Sequence, residues 1–134
     1  MSRYKSSLLA TVLGTAYAAS SAWAQPVLIT ANQTLIAGQT TITSTGGGAA
    51  VPLATAQIVV QGAILTVNRT DAISIASLQL VATGGTGSVL THTLGTRIDI
   101  TTTGNLSVDA NSVITADLKG LIGSQGPGTG ESVN

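Results

Sequence analysis

The stretch GTRIDITTTGNLSVDANSVITADL, Gly95–Leu118, writes one structural unit three times over. Ile98 and Ile100 alternate with polar neighbours, Leu106 and Val108 do the same, and Ile114 with Ala116 does so again. A period of two puts apolar side chains on one face of a strand and polar ones on the other. Ile98, Leu106 and Ile114 follow one another at steps of eight, with Gly104 and Asn111 in the gaps. One short strand of this kind cannot bury its apolar face alone, whereas strands wound into coils and stacked on the next coil can. The unit therefore predicts an all-β chain, a right-handed parallel β-helix (β-solenoid).

Outward from that stretch the unit recurs at Ile58/Val60, Leu65/Val67, Ile73/Ile75 and Leu78/Leu80, the first three at steps of seven and eight. Laying IVVQGAILTV over IDITTTGNLSV sets Ile58 on Ile98, Leu65 on Leu106 and Val67 on Val108, an internal repeat. Three strands per coil then give roughly 20 to 25 residues per coil and about four to five coils. Nearer the start, Leu28, Leu35 and Ile42 fall seven apart, and strands are expected at 27–30, 33–36 and 40–44. Gly46–Gly48 and Pro52 interrupt any regular strand over 45–56, which reads as a loop or an excursion from the coil. GGTGSVLTHTLG, 84–95, reads as a connection between the two copies.

Residues 1–24 read as a cleaved signal peptide: Arg3 and Lys5 open it, LLATVLGTAYAA (8–19) is its apolar core, and Ala22-Trp23-Ala24 is the small-x-small cleavage pattern that leaves Gln25 first. The core is shorter than the roughly 20 apolar residues of a membrane span, so no integral span is expected after cleavage. Tyr4, Tyr17 and Trp23 go with the leader, and the chain has no Phe and no Cys. The interior must then be narrow and filled by Ile, Val, Leu and Ala, without aromatic bulk or disulfide staples. The divisions expected are a signal peptide over 1–24, an N-terminal cap or first coil with a Gly/Pro loop over 25–56, β-helix coils over 57–118, and a flexible Gly-rich tail over 119–134 that leads into further sequence.

Past the leader, Arg69, Arg97 and Lys119 face Asp71, Asp99, Asp109, Asp117 and Glu131, a net charge of −2. Three scattered cations make no basic patch, and nucleic acid is excluded as a partner. His92 is the only histidine, with no cysteine to join it in a zinc site, and reads as a solvated strand residue. Gly84, Gly85 and Gly87 begin a calcium-binding nonapeptide, but Val89 stands where its aspartate belongs. Gly46–Gly48 precede no helix that would hold phosphate. Asp99 and Arg97 share an outward face, as in sugar-cleaving β-helices, whereas Asp71 and Asp109 fall near Asn68 and Asn111 where such residues stabilise turns. The threonine runs at 40–43 and 101–103 lack the strict register of an outward hydroxyl ladder and follow the β-propensity of Thr. Asn32, Asn68 and Asn105 each open a glycosylation sequon. No catalytic, cofactor-binding or metal-ligating residue is assigned.

At IDITTTGNLSVDANSVITAD (98–117) followed by KGLIGSQGPGTGES (119–132), the chain resembles the N-terminal part of large secreted bacterial β-helix proteins of the adhesin and autotransporter-passenger type. The resemblance implies export to the cell surface or the medium through periplasm and outer membrane, and it carries over no catalytic residue. The expected function is non-enzymatic: a structural or adhesive β-helix that binds glycans or a host or matrix surface through its side and stacks against further coils of the same protein. The rival expectation is the leading portion of a carbohydrate-active β-helix enzyme, a polysaccharide lyase or hydrolase whose active site lies outside this chain. A third is an antiparallel sandwich or pilin-like subunit.

Overall fold

The computed structural model describes residues 25–117; the expected signal peptide and the Gly-rich tail lie outside these residues. Twelve short strands form: β1 (Val27–Ile29), β2 (Gln33–Ile36), β3 (Thr41–Ile42), β4 (Val51–Pro52), β5 (Gln57–Gln61), β6 (Ile64–Asn68), β7 (Ile73–Ile75), β8 (Ser77–Val81), β9 (Val89–His92), β10 (Ile100–Thr102), β11 (Leu106–Val108) and β12 (Val113–Ile114). A single 3-10 turn, Leu53–Thr55, is the one helical element among the described residues.

The pairing is parallel nearly everywhere. Sheet one runs β1-β5-β8-β11, sheet two runs β2-β6-β9-β12, and sheet three pairs β7 with β10. Only β3 and β4 pair antiparallel. The chain thus visits sheets one, two and three in turn with β5, β6 and β7, and returns to sheet one with β8. The described part is all-β with parallel sheets, which removes the antiparallel-sandwich expectation: parallel neighbours need a crossover between them, and here each crossover runs through the other sheets.

Register stacks like on like. Val27, Ile58, Leu78 and Leu106 form one column of sheet one, and Ile29, Val60, Leu80 and Val108 form the other. In sheet two Leu65 lies beneath Leu90 and Leu90 beneath Ile114; in sheet three Ile73 lies beneath Ile100. Ile29, Ile58, Val60, Leu65, Ile75, Leu78, Leu80 and Leu90 are all buried in one continuous core. Each such side chain contributes roughly 1.5–3 kcal/mol by leaving water. That aliphatic core replaces the aromatic bulk that the described residues lack.

The internal repeat does not survive. Along one column of sheet one the chain steps from Val27 to Ile58, to Leu78 and to Leu106, and along sheet two from Gln33 to Leu65, to Leu90 and to Ile114, with unequal lengths of chain between. Ile58 stacks on Leu78 in sheet one, while Ile98 only packs against the core ahead of β10; Leu65 belongs to sheet two and Leu106 to sheet one. The steps of seven and eight are the distance from one sheet to the next within a layer, and loops of unequal length separate the layers. The segment 84–95 also contains β9, so it is a wall of the fold and not merely a connection.

The corner between sheets one and two is held by polar groups. Gly62 turns there with φ of +59°, a left-handed conformation that costs glycine little. Its N–H donates to Ser88 Oγ at 2.8 Å, and the Ser88 hydroxyl lies 2.8 Å from the Val60 carbonyl and 2.6 Å from that of Val81. Ser88 is fully buried, so these bonds stand in for water. Ser88→Ala removes the hydroxyl that joins the Gly62 amide to the Val60 and Val81 carbonyls, leaving the direct Gly62 N–H to Val81 carbonyl bond of 3.0 Å to hold the corner. A loss of about 1–3 kcal/mol is expected in urea unfolding, and a loss below a few tenths of that would show that the corner is held otherwise.

The two ends differ. At the β1 end, the Thr45 N–H donates to the Leu28 carbonyl at 3.0 Å, Leu28 N–H donates to Ser44 Oγ, and Thr30 N–H donates to Thr45 Oγ1. The excursion 37–56 thereby occupies the outer edge of β1, with Ile42 and Leu53 buried beneath it. At the other end, no strand among the described residues pairs with the outer edges of β11 and β12. Leu106 and Val108 stack above Leu78 and Leu80 but remain 54% and 40% exposed.

Candidate binding face

Outward side chains are where a stacked sheet meets the world, and the two large sheets differ there. On sheet two, register aligns Thr34 with Thr66 and Thr66 with Thr91, the last of these buried, and beside that column Ile64 aligns with Val89 and Val89 with Val113. These are β-branched residues, the ordinary choice for a strand. The threonine column is invisible in the sequence because Thr34, Thr66 and Thr91 are unevenly spaced, and no fixed period exposes it.

Sheet one adds amides and hydroxyls to its outward aliphatics Leu28, Val59 and Val81. Gln57 aligns with Ser77, and Val59 with Gln79 and then Ser107. A trough of about 870 Å³ crosses this surface, its lining divided between polar side chains, among them Gln57, Gln79, Asn105 and Ser107, and apolar ones such as Val59 and Leu106. Its flank is the corner between β10 and β11, pressed onto the layer beneath by the Gly104 N–H donating to the Ala76 carbonyl at 2.7 Å and the Leu78 N–H donating to the Asn105 carbonyl at 3.0 Å. Gln57, Gln79, Asn105 and Ser107 are exposed.

The ionisable residues are spread apart. Asp71 accepts a forked pair of bonds from Arg69, through Nε at 2.9 Å and through Nη2, while Arg69 Nη1 reaches the Gln39 carbonyl at 2.9 Å. Arg69 is buried and so ties the second layer to the capping excursion; the partner of Asp71 is this guanidinium, where the sequence suggested a turn. Asp99 and Arg97 do pair, at 3.1 Å on the exposed surface. Asp109 fulfils its turn role: its carboxylate accepts the Ala82 amide at 2.6 Å and the Asn111 amide at 3.2 Å. His92 is buried, contrary to the solvated reading, because β9 turns it inward above Val67, with Nδ1 2.9 Å from the Thr93 carbonyl. Among the described residues no three His, Asp or Glu side chains gather as a metal site, and no helix is long and apolar enough to cross a membrane.

The bonds to Asp109, from the Ser112 hydroxyl first and then from the Ala82 amide, hold its carboxyl below the usual range, and the Arg69 guanidinium does the same for Asp71. A carboxyl whose folded value is depressed stabilises the fold above its unfolded value and loses that contribution as pH falls through the folded one. Stability is therefore expected to be level above about pH 5 and to decline as pH drops below the ordinary aspartate value of 3.8. Urea midpoints across that range check it. Asp109→Ala should shrink the acid limb, and an unchanged limb would remove Asp109 from the account.

No protein-family model matches the chain, and no curated protein and no solved structure matches it either.

Proposed function

We propose that the chain is the N-terminal part of an exported, right-handed parallel β-helix of the bacterial adhesin type, which acts without catalysis by holding glycans or a host or matrix surface against its side. One observation carries this reading: parallel strands stacked in register bring side chains far apart in the chain into outward columns with one member per layer, about 4.8 Å apart, as with Leu28, Val59, Gln79 and Ser107. Such columns suit many weak, repeated contacts that add by avidity. Right-handed winding follows from the handedness of parallel crossovers. Export rests on the basic start, apolar core and Ala-Trp-Ala pattern of residues 1–24.

Two measurements test it. Expressed from its own start in a Gram-negative cell, the chain should be recovered outside the cytoplasm with Gln25 as its first residue. Immobilised, it should retain glycans or matrix proteins with an apparent affinity that rises steeply with surface density. Retention in the cytoplasm with Met1 intact, or no retention of any surface component at any density, would refute the reading.

A further inference from the structure

The two outer faces are built from the same backbone and carry different chemistry, and the difference needs a cause. Strand formation alone favours Thr, Ile and Val, which is what sheet two displays at Thr34, Thr66, Ile64 and Val89. Sheet one sets Gln57, Ser77, Gln79 and Ser107 outward among the aliphatic Leu28, Val59 and Val81, on strands where amides and serines gain little for the fold.

Several amide side chains elsewhere are engaged within the fold. Asn32 Oδ1 accepts the Ile64 N–H at 3.0 Å, Gln39 bridges the Ile36 N–H and the Thr41 carbonyl, and Asn68 Oδ1 accepts from the Thr93 hydroxyl. By contrast, no hydrogen bond joins the side-chain heads of Gln57, Ser77, Gln79, Asn105 or Ser107 to another described residue. Each carboxamide offers two N–H donors and a carbonyl acceptor, a set that matches the paired hydroxyls of a sugar ring.

We propose that this trough, Gln57, Ser77, Gln79, Asn105 and Ser107 around Val59, is a binding site for an extended, uncharged glycan lying along the stacking direction. The proposal rests on the adhesive reading above and narrows it to one face and one ligand class. The lining residues span three layers, two steps of about 4.8 Å, which is the length of a short oligosaccharide. None of them is charged, so an acidic polysaccharide would find no cation in the lining. No aromatic residue lies within the described part, so the grip is hydrogen bonding without ring stacking, weak per sugar and dependent on chain length. A polypeptide ligand would pair with a sheet edge, and the trough is a face.

The test uses the full chain, isotopically labelled, titrated with cellohexaose, xylohexaose, maltohexaose and heparin. Amide shifts at Gln57, Gln79, Asn105 and Ser107 with at least one neutral hexaose are expected, and affinity should rise from the monosaccharide to the trisaccharide that fills the three layers. Gln57→Ala with Gln79→Ala should weaken binding about tenfold or more, the equivalent of one or two lost hydrogen bonds, at an unchanged melting temperature. Thr66→Ala on sheet two should bind as the parent does. Shifts confined to Thr66 and its neighbours would overturn the trough and leave adhesion standing, and so would a double alanine variant that binds normally. Preference for heparin would overturn the ligand class. If no neutral hexaose binds while the immobilised chain still retains matrix proteins, this proposal fails and the adhesive reading survives. If nothing is retained in either assay, both fail.

Discussion

Leu80→Ala is expected to cost about 2–5 kcal/mol of folding stability, the range for a fully buried leucine cut to alanine, and so to consume a large share of the stability of a domain this small. Leu80 is 0% exposed and sits between Val60 below and Val108 above in the second column of sheet one. Removing its branched end leaves a void that the parallel ladder on either side cannot close, because those strands are pinned by their own backbone bonds. The informative comparison is Leu106→Ala. Leu106 caps the neighbouring column and is 54% exposed, so its truncation should cost about 1 kcal/mol or less. Urea unfolding of both variants decides the matter: equal losses would mean that the columns are not the source of stability.

The second large effect is steric. A Cβ on Gly87 would fall on the Asn111 carbonyl of the layer above, so the backbone of one layer must move away from the other. The bonds at risk are those that seat β12: Val113 N–H to the Ser88 carbonyl and Thr115 N–H to the Leu90 carbonyl, both 2.9 Å, and Ser88 N–H to Ser112 Oγ at 3.0 Å. Gly87→Ala should cost about 3 kcal/mol, the upper part of the range for overpacking. It should also release the Val113 and Thr115 amides to rapid hydrogen exchange while those of β5 and β8 stay protected. Gly46→Ala is the control, since nothing lies within 4 Å of a Cβ there. Protected Val113 and Thr115 amides in Gly87→Ala would show that the two layers are not in such close contact.

Strand-level structure was legible because alternation is local. The strands expected at 27–30, 33–36 and 40–44 correspond to β1, β2 and β3, and Ile73/Ile75 and Leu78/Leu80 mark β7 and β8. What stacks on what was not legible, because register depends on how much chain each corner consumes. The corner from β5 to β6 needs only Gly62 and Ala63, whereas that from β8 to β9 takes the whole of Ala82–Ser88. A sequence overlay treats such insertions as noise, and so it placed Ile58 with Ile98. β9 escaped notice for a related reason: VLTH alternates poorly, since Leu90, Thr91 and His92 are all buried. The outward trough could not be foreseen either. Gln57, Gln79 and Ser107 are ordinary letters far apart in the chain until the ladder brings them side by side.

Blocking the outer edge of β1 while, among the described residues, nothing pairs with the outer edges of β11 and β12 gives sheet one a direction. Ser44 and Thr45 occupy the main-chain groups of Leu28 and Thr30 that a foreign strand would need, so accretion onto β1 is barred. Above, Ser107 and Val113 stand on strands ready to template whatever arrives next. A polypeptide emerging amino end first would find the β1 course already closed and would rise storey by storey, each course laid on the one before.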